Sequence, residues 1–288
     1  MNTSVREQLL GCLICGGAYR PSHLPGLFSC ERCGFISADL SISDETLKRL
    51  YGLNYFHGGE YGNYLDDEDA LKLNFRDRIS DLRKIVPQFE GCSLFEIGCA
   101  YGIFLELVAP LVRHAAGIDI SEDAACHARD VRKVDAHGGD YFQYTMPHPT
   151  DIVVLWDTIE HLKRPDLFVA KIARDLKPGG FIALTTGDIG SFNARLRGRR
   201  WRMIHPPTHL HYFSVPTMTH LLNRHGFEVV HISHPGYTRL IRYVLYILLV
   251  REWKFNRAYN VIEKWRISDL PFTLNLWDIM FVVARKVS

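Results

Sequence analysis

The chain has 288 residues, enough for one large domain or for one domain with a small appendage. Hydrophobic residues make up 47% of it and charged residues 23%, which excludes a disordered or fibrous chain. Its 34 basic and 32 acidic residues nearly cancel, so the overall charge gives no case for a dedicated nucleic-acid binder.

The N-terminus lacks the basic start, the long apolar stretch and the small-residue cleavage site of a secretory signal. The longest uncharged apolar run, residues 243–250, is too short to span a membrane. Both observations predict a cytoplasmic protein without a membrane span. Four of the seven cysteines fall in two close pairs, which indicates metal binding in a reducing compartment rather than a disulfide framework.

These two pairs near the N-terminus both have the spacing C-x2-C, and fourteen residues separate them. The four cysteines are Cys12, Cys15, Cys30 and Cys33. Two such pairs can converge on one ion and complete the tetrahedral thiolate shell that zinc prefers. Because four protein ligands leave no open position for catalysis, we expect a structural zinc ribbon over residues 1–45. Four reduced cysteines without metal are the alternative.

The remaining residues, 46–288, are predicted to form one α/β domain. Apolar residues at helical spacing over residues 66–86 predict a long amphipathic helix. From residue 93 onward, short strand-like apolar runs alternate with helix-like segments. This alternation indicates βαβ units on a parallel sheet, and such sheets bind ligands beyond the carboxyl ends of their strands.

The first of these strands runs into a turn of small residues, E-I-G-C-A-Y-G at 96–102, that opens a helix. Residues without bulk let a ligand approach the backbone, and free N–H groups at a helix start suit polar or anionic groups. Later strand ends carry Asp119, Asp140 and Asp157, and Asp119 has the spacing at which a carboxylate accepts ribose hydroxyls. Each acid alone is typical of a helix cap or a turn, whereas the series predicts a ligand site.

Together with V-L-W-D-T-I-E-H-L at 154–162 and L-K-P-G-G at 176–180, these motifs resemble those of class I S-adenosylmethionine-dependent methyltransferases. The bacterial branch that includes quinone-biosynthesis enzymes is the most similar, and the resemblance covers about residues 70–235. It implies a Rossmann-like, doubly wound sheet of seven strands and S-adenosylmethionine as the cofactor. Ala100 stands where the family usually has glycine, a change that we expect to be tolerated.

The resemblance implies a cofactor-binding set in this chain. Its members are Glu96, Gly98, Cys99, Ala100, Gly102, Asp119, Ile120, Asp140, Tyr141, Trp156 and Asp157. The residues of the first turn are expected at the methionine portion, Asp119 at the ribose, and Asp140 with Tyr141 at the adenine. Trp156 and Asp157 are expected near the transferred methyl group.

Methylation of a hydroxyl requires in-line placement of the acceptor and removal of a proton. Asp157, Glu160 and His161 can share one side of a helical turn, and residues 205–214 supply further histidines. We expect His161 to be the general base, with His211 as the second candidate and Asp157 and Glu160 as further catalytic residues.

Two other interpretations of D-x-x-E-H remain open. The similar arrangement in some 2′-O- and quinone O-methyltransferases holds a divalent ion that polarises the acceptor oxygen, so an ion at Asp157, Glu160 and His161 is one alternative. In the other, Glu160 and His161 only cap and hydrogen-bond a helix.

Two later segments have no role in this scheme. The arginine-rich residues 195–202 are interpreted either as solvated surface or as a loop that holds phosphate. The family joins its last two strands tightly, whereas here about residues 237–273 form an insertion with helical apolar spacing. We expect this helical insertion to form a lid over a lipophilic acceptor, a homodimer face, a membrane-surface helix or a layer on the core.

The expected function is methyl transfer from S-adenosylmethionine to a small-molecule acceptor, on a hydroxyl of a sugar, a quinone or another secondary metabolite. Residues 1–65 resemble the zinc-binding N-terminus of sugar C-methyltransferases, which also carry a further C-terminal domain, so the methylated atom stays open. One alternative is a ribosomal-RNA base methyltransferase, against which the near-neutral charge counts. Another is a non-catalytic cofactor-binding scaffold whose ribbon recruits a partner.

Overall fold

A computed structural model describes residues 11–43, 45–47, 64–246, 249–250, 255 and 270–287. The strands are β1 (Tyr19–Pro21), β2 (Phe28–Cys30), β3 (Ile36–Ser37), β4 (Ser93–Ile97), β5 (His114–Asp119), β6 (Asp135–Gly138), β7 (Thr150–Trp156), β8 (Leu176–Gly187), β9 (His211–Tyr212), β10 (Phe227–Ser233), β11 (Tyr237–Leu240), β12 (Pro271–Leu274) and β13 (Ile279–Lys286). The helices are α1 (Glu68–Ile85), α2 (Ile103–Val108), α3 (Glu122–Asp130), α4 (Pro165–Asp175), α5 (Phe192–Arg197), α6 (Val215–Arg224) and α7 (Ile241–Leu245). Within these ranges no helix has the length and apolar character needed to cross a membrane.

Seven strands form the central sheet in the order β10-β13-β8-β7-β4-β5-β6. The five strands from β8 to β6 are parallel, and β13 runs antiparallel to both β8 and β10. This arrangement confirms the predicted Rossmann-like sheet of seven strands. The order reverses between β4 and β7, which places a crevice at the carboxyl ends of these strands.

The composition of the elements explains where they lie. Strand β7 is rich in β-branched and leucine residues and is almost wholly buried, as expected for a central strand covered on both faces. Helix α1 confirms the long amphipathic helix, and it packs with α2 on one face of the sheet. Helices α4 and α6 cover the other face, together with apolar residues of the N-terminal segment.

Helix starts follow the capping signals in the sequence. Ser121 caps α3 and accepts a hydrogen bond from the Ala124 N–H at 3.3 Å. Ser214 and Thr217 form a reciprocal capping box at the start of α6. The cap at Ser121 fixes the point at which the chain leaves the carboxyl end of β5 and enters α3, and the one at Ser214 fixes the start of α6 after β9.

The N-terminal cysteine segment is joined to the rest of the protein by a second sheet. Strands β1, β2 and β3 form an antiparallel sheet, and β9 from far along the chain adds to its edge. Phe35 is fully buried and packs on His211 and Phe213 with ring centroids 5.4 and 5.1 Å apart. The two parts therefore share one hydrophobic core.

The insertion differs from the helical prediction at both of its ends. Residues Tyr237–Leu240 and Pro271–Leu274 are the antiparallel strands β11 and β12, and the described residues between them include the short helix α7, Ile241–Leu245. Asn74 of α1 holds β11 in place, because its side chain bonds both the N–H and the carbonyl of Thr238, at 2.8 and 2.9 Å. Most of the predicted helical stretch after residue 246 lies outside the described residues.

Candidate functional site

A cavity of about 590 Å³ opens at the carboxyl ends of β4, β5 and β7. Its wall includes the turn after β4, the ends of β5 and β7, and side chains from α1 and β11. This is the edge at which a parallel sheet binds ligands. Most of the predicted site residues are brought together here.

The turn after β4 provides a bare backbone wall. Gly98 has φ +81°, and a Cβ at this position would stand 2.6 Å from the Thr158 hydroxyl, so the site requires glycine. Ala100 also has a positive φ, 45°, a conformation that a non-glycine residue adopts at a cost. Both residues line the cavity.

Asp119 ends β5 and is held rigidly. Its carboxylate accepts hydrogen bonds from the N–H groups of Ala100 and Ser121, at 2.8 and 2.9 Å. Burial raises the pKa of Asp119, and these two bonds act in the opposite direction. The carboxylate lies at the cavity wall with its orientation fixed, as the predicted contact to a ribose requires.

The far end of the cavity combines polar and apolar side chains. Ile120 and Phe142 are 42% and 37% exposed, unusually open for apolar residues at a concave site. Tyr141 is buried with its hydroxyl donating to Asp175 at 2.6 Å, so its ring, not its oxygen, is available to the cavity. Asp140 accepts from the Phe142 N–H at 2.9 Å. Flat apolar surfaces next to a fixed carboxylate suit an aromatic base.

Three residues of the predicted cofactor-binding set do not line the cavity. Glu96 is buried beneath it, and burial followed by the charge of Asp119 raises its pKa. Cys99 packs in a small cluster with Leu105. Gly102 begins α2 with φ +75°, and a Cβ there would lie 2.8 Å from that of Ala128. The glycine at 102 is therefore explained by close packing against α3, and the expected place of these three residues at the methionine portion stays a prediction.

Trp156 and Asp157 end β7 at the middle of the cavity wall. The Asp157 backbone is strained, with φ +46°, and its N–H donates to the Thr185 carbonyl at 3.1 Å. Asp157 Oδ1 is buried and accepts no hydrogen bond from a described residue. The Trp156 ring packs edge-on against Phe104 at 5.2 Å. Their expected place beside the transferred methyl group stays a prediction.

His161 lines the cavity and is oriented by the segment that precedes β9. Its Nδ1 lies 2.8 Å from the carbonyl of Thr208. A carbonyl only accepts, so Nδ1 donates in this contact, and a second backbone hydrogen bond, to Asp157, also acts on the ring. Burial lowers the pKa of His161 to about 4, which keeps the ring neutral at ordinary pH. Its position and protonation state suit a proton acceptor.

Glu160 lies behind His161 and does not line the cavity. Neither of its buried carboxylate oxygens accepts a hydrogen bond of ordinary geometry within the described ranges. Burial, followed by the negative charge of Asp157, raises the pKa of Glu160 to about 8. Ligand atoms of Glu160, His161 and His209 lie within 4.8 Å of one another. This cluster contains His209 in place of the Asp157 that the sequence motif implies.

His211, the second candidate base, does not reach the cavity. The side chain is 1% exposed, its Nδ1 lies 3.0 Å from the Ser37 hydroxyl, and its Nε2 lies 3.4 Å from the Lys163 carbonyl. With both ring nitrogens engaged inside the protein, His211 cannot take a proton from a substrate. The prediction of His211 as a base is corrected for this reason.

Sequence reasoning missed two polar residues of α1 that face the cavity, Asn74 and Arg78. No described residue accepts a hydrogen bond from the buried Arg78 guanidinium, which lies 5.7 Å from the centre of the Phe281 ring. Burial lowers the pKa of Arg78, and Asp157 is the first of the charges that oppose this. A signal existed in the sequence, because both residues interrupt the apolar stripe of the helix at helical spacing.

The arginine-rich segment lies away from the cavity. Arg195, Arg199 and Arg200 are exposed, and none of them lines it. Arg202 and the buried Trp201 both donate to the Asp278 carboxylate, at 2.9 Å each. The packing of Trp201 therefore has a structural explanation, and the exposed arginines are solvated surface.

The four N-terminal cysteines are brought together as predicted. Cys12 and Cys33 have their sulfurs 3.5 Å apart, Cys15 and Cys30 have theirs 3.4 Å apart, and all four sulfurs lie within 4.8 Å of one another. The Cβ that a side chain at Gly17 would add lies 3.1 Å from the Cys30 sulfur, so the turn has no room for one. Four converging thiols with this separation fit a tetrahedral zinc site.

Comparison with known proteins agrees with this geometry. A family model described as a methyltransferase domain matches residues 70–232. A "probable S-adenosylmethionine-dependent methyltransferase" of Mycolicibacterium smegmatis is 30% identical over 149 residues, which are 51% of this chain and 56% of the relative. A ubiquinone biosynthesis O-methyltransferase of Maricaulis maris is 31% identical over 157 residues, 50% of this chain and 62% of the relative. The chain thus spans little more than half the length of these relatives.

A solved structure supports the fold. Magnesium protoporphyrin IX methyltransferase from Synechocystis, with bound SAH, matches with a TM-score of 0.51 and 12% identity over 75% of this chain and 84% of that one. At this identity the likeness concerns the fold alone. The family model, however, covers more than half of the chain and includes the whole carboxyl edge of the sheet, so the chain belongs to the methyltransferase-domain family.

Proposed function

We propose that this chain transfers a methyl group from S-adenosylmethionine to a hydroxyl of a small-molecule acceptor, with His161 as the general base. The observation that carries the proposal is that one cavity contains both the Gly98–Asp119–Asp140 series and the His161 ring. The first group of residues suits an adenosyl compound, and the histidine stands beside the position expected for its methyl group. A cofactor-binding scaffold has no need for that histidine.

In the proposal, each group of residues binds a different part of the cofactor. Gly98 and Ala100 leave room for the methionine portion, and Arg78 supplies a buried cation for its carboxylate. Asp119 accepts the ribose hydroxyls, while Ile120 and Phe142 cover the faces of the adenine. Trp156 and Asp157 then border the methyl group.

When bound, S-adenosylmethionine supplies an electrophilic methyl group on a positively charged sulfur. The chain places the acceptor oxygen in line with it, and His161 Nε2 accepts the proton of the acceptor hydroxyl. The Thr208 carbonyl holds the ring at Nδ1 and so fixes its orientation at the cavity wall. Because the pKa of His161 is about 4, an acidic hydroxyl is favoured over an ordinary alcohol as the acceptor.

The relatives agree with methylation on oxygen. The Maricaulis maris protein and a 27-O-demethylrifamycin SV methyltransferase of Amycolatopsis mediterranei, 31% identical over 156 residues, are both named for small-molecule methyl transfer. The atom that this chain methylates and its acceptor remain part of the proposal.

We further propose that Cys12, Cys15, Cys30 and Cys33 hold one structural zinc ion. Purified protein is expected to contain about one zinc per chain, because four thiolates close the coordination shell. Cys33→Ser should release the metal, whereas Cys92→Ser, at a cysteine outside the cluster, should retain it. Elemental analysis checks this, and wild-type protein that is free of zinc contradicts it.

A divalent cation at Glu160, His161 and His209 is a second candidate, favoured by the two unpartnered oxygens of Glu160. Such an ion would polarise the acceptor oxygen. Without metal, Glu160 should keep its proton in the folded state up to about pH 8. The unfolded chain loses that proton near its ordinary pKa of 4.5, so the folded state holds more protons between these values.

In chelator, the free energy of unfolding should therefore fall as the pH rises from about 4.5 to about 8. Glu160→Gln should flatten this fall, whereas Glu228→Gln, at an exposed position, should not. Denaturant titrations at several pH values measure both. Mg²⁺ or Mn²⁺ should restore the wild-type stability at pH 8 if the cluster binds a cation. No effect of either ion on stability or turnover eliminates this candidate.

For the methyl transfer itself, His161→Ala should lower turnover by roughly 10²–10⁴-fold, the usual contribution of a positioned base. Binding of the demethylated cofactor should stay unchanged, because His161 serves the acceptor. His220→Ala, at an exposed histidine of α6, is the matched control. The assay incubates the protein with cofactor labelled in the methyl group and with fractionated cell extract.

The fraction that takes up the label decides between the hypotheses. Label in small molecules supports the proposal, and label in RNA supports the alternative of an RNA methyltransferase. Tight cofactor binding without transfer to any fraction favours the scaffold. Wild-type turnover in His161→Ala removes this histidine from the mechanism.

A further inference from the structure

The backbone of the zinc-ribbon segment is connected by hydrogen bonds to the backbone that carries His161. Strand β3 pairs with β9 through Ile36↔Tyr212 and Ser37↔His211. The Ala38 N–H then donates to the Leu210 carbonyl at 2.8 Å, and the Leu210 N–H donates to the Glu160 carbonyl at 2.9 Å. An unbroken series of hydrogen bonds thus runs from the ribbon to the residue beside the proposed base.

A second series runs through buried side chains. His211 Nε2 faces the Lys163 carbonyl at 3.4 Å and so carries the ring proton, which leaves Nδ1 as an acceptor. The Ser37 hydroxyl, 3.0 Å from Nδ1, donates to it, and the Tyr19 hydroxyl at 3.1 Å can donate to Ser37. Ser37 and His211 are 0% and 1% exposed, so water does not compete for these bonds. The two series hold both sides of the segment from Glu160 to Lys163.

Other contacts strengthen the same connection. Lys163 Nζ donates to the Ile42 carbonyl at 2.9 Å, and the Phe35 ring stacks on His211 at 5.4 Å. Among described residues, the hydrogen bonds that leave residues 11–43 go to this segment, to β9, to Leu210 and to Arg224. None goes to the cofactor-binding turn after β4. The ribbon therefore touches the proposed acceptor side and leaves the cofactor side to the central sheet.

We propose that the zinc ribbon is a positioning element of the active site, in which Ser37 and His211 set the orientation of His161 without touching the substrate. This inference rests on the proposed role of His161. The metal would hold β1–β3 in shape, and β3 would in turn hold β9 and the segment from Glu160 to Lys163. Loss of this connection displaces the base. A misplacement of about 1 Å is enough to slow transfer about a hundredfold.

The test removes the Ser37 hydroxyl from the hydrogen-bonded series of buried side chains. Ser37→Ala is compared with Ser29→Ala, the same change in the neighbouring strand, where the hydroxyl bonds no described residue. In Ser37→Ala turnover should fall about tenfold to a hundredfold, while the affinity for the demethylated cofactor, measured by calorimetry, stays that of wild type. Hydrogen exchange should quicken at Leu210 and Ala38. Ser29→Ala should match wild type in all three measurements.

The split between turnover and cofactor affinity separates positioning from a general loss of stability. His211→Asn, whose shorter side chain cannot bond both Ser37 and the Lys163 carbonyl, should show the same loss of turnover and the same faster exchange at Leu210, with cofactor affinity unchanged. Wild-type protein stripped of zinc should show the same pattern.

Unchanged exchange at Leu210 with wild-type turnover in Ser37→Ala overturns the inference, even if methyl transfer is confirmed. Equal losses of turnover and of cofactor affinity in Ser37→Ala also overturn it, because they mean that the ribbon supports the whole fold. Failure of the wild-type protein to bind the demethylated cofactor contradicts the proposed function instead. The two failures are thus distinguishable.

Discussion

Neighbouring parallel strands end at the same edge of a sheet. Their last backbone groups and the side chains that follow therefore face one common space, and the rest of this site depends on that constraint. The carboxylate of Asp119 shows how tightly the edge is built, because N–H groups from two different loops, those of Ala100 and Ser121, fix its two oxygens. Gly98 is equally constrained, since the Thr158 hydroxyl occupies the place of its missing Cβ. Contacts between neighbouring strand ends thus determine which residues and side-chain orientations fit there.

The sequence predicted the features that local pattern determines. The alternation of strands and helices, the turn at 96–102, the acids at the strand ends and the convergence of four cysteines follow from motifs whose residues lie close together in the chain. The number of strands in the sheet was implied by the family resemblance. The motif residues Glu96, Cys99 and Gly102 belong to the same turn but lie beneath the cavity. Their identity is set by burial and by helix packing, and a motif does not separate such residues from those that contact a ligand.

The sequence did not predict contacts between distant segments. The pairing of β3 with β9 and the strand that Asn74 fixes at Thr238 each join residues far apart in the chain. Helical spacing also misled at the insertion, because the apolar Leu240 is buried as part of a strand. The helical spacing predicted the apolar face of α1 correctly but did not predict that the polar residue Arg78 is buried on that same face.

The two sides of the cavity are held by different parts of the molecule. The central sheet fixes the side proposed to bind the cofactor, whereas the ribbon sheet and the segment before β9 hold Glu160 and His161. This division lets each side be tested alone. It also gives a reason why the four-cysteine cluster, proposed to hold a structural metal, lies within one core with the proposed catalytic segment.

The central claim is that the carboxyl edge of the sheet binds an adenosyl sulfonium compound, and calorimetry with S-adenosylhomocysteine tests it most directly. The wild-type protein should bind one equivalent. Asp119→Asn should bind about tenfold or more weakly, because a hydrogen bond to a charged group is lost, and Asp123→Asn, at an exposed acid of α3, should bind as wild type does. Folded wild-type protein that gives no binding heat at any temperature tested, or an Asp119→Asn variant with undiminished affinity, would contradict this account.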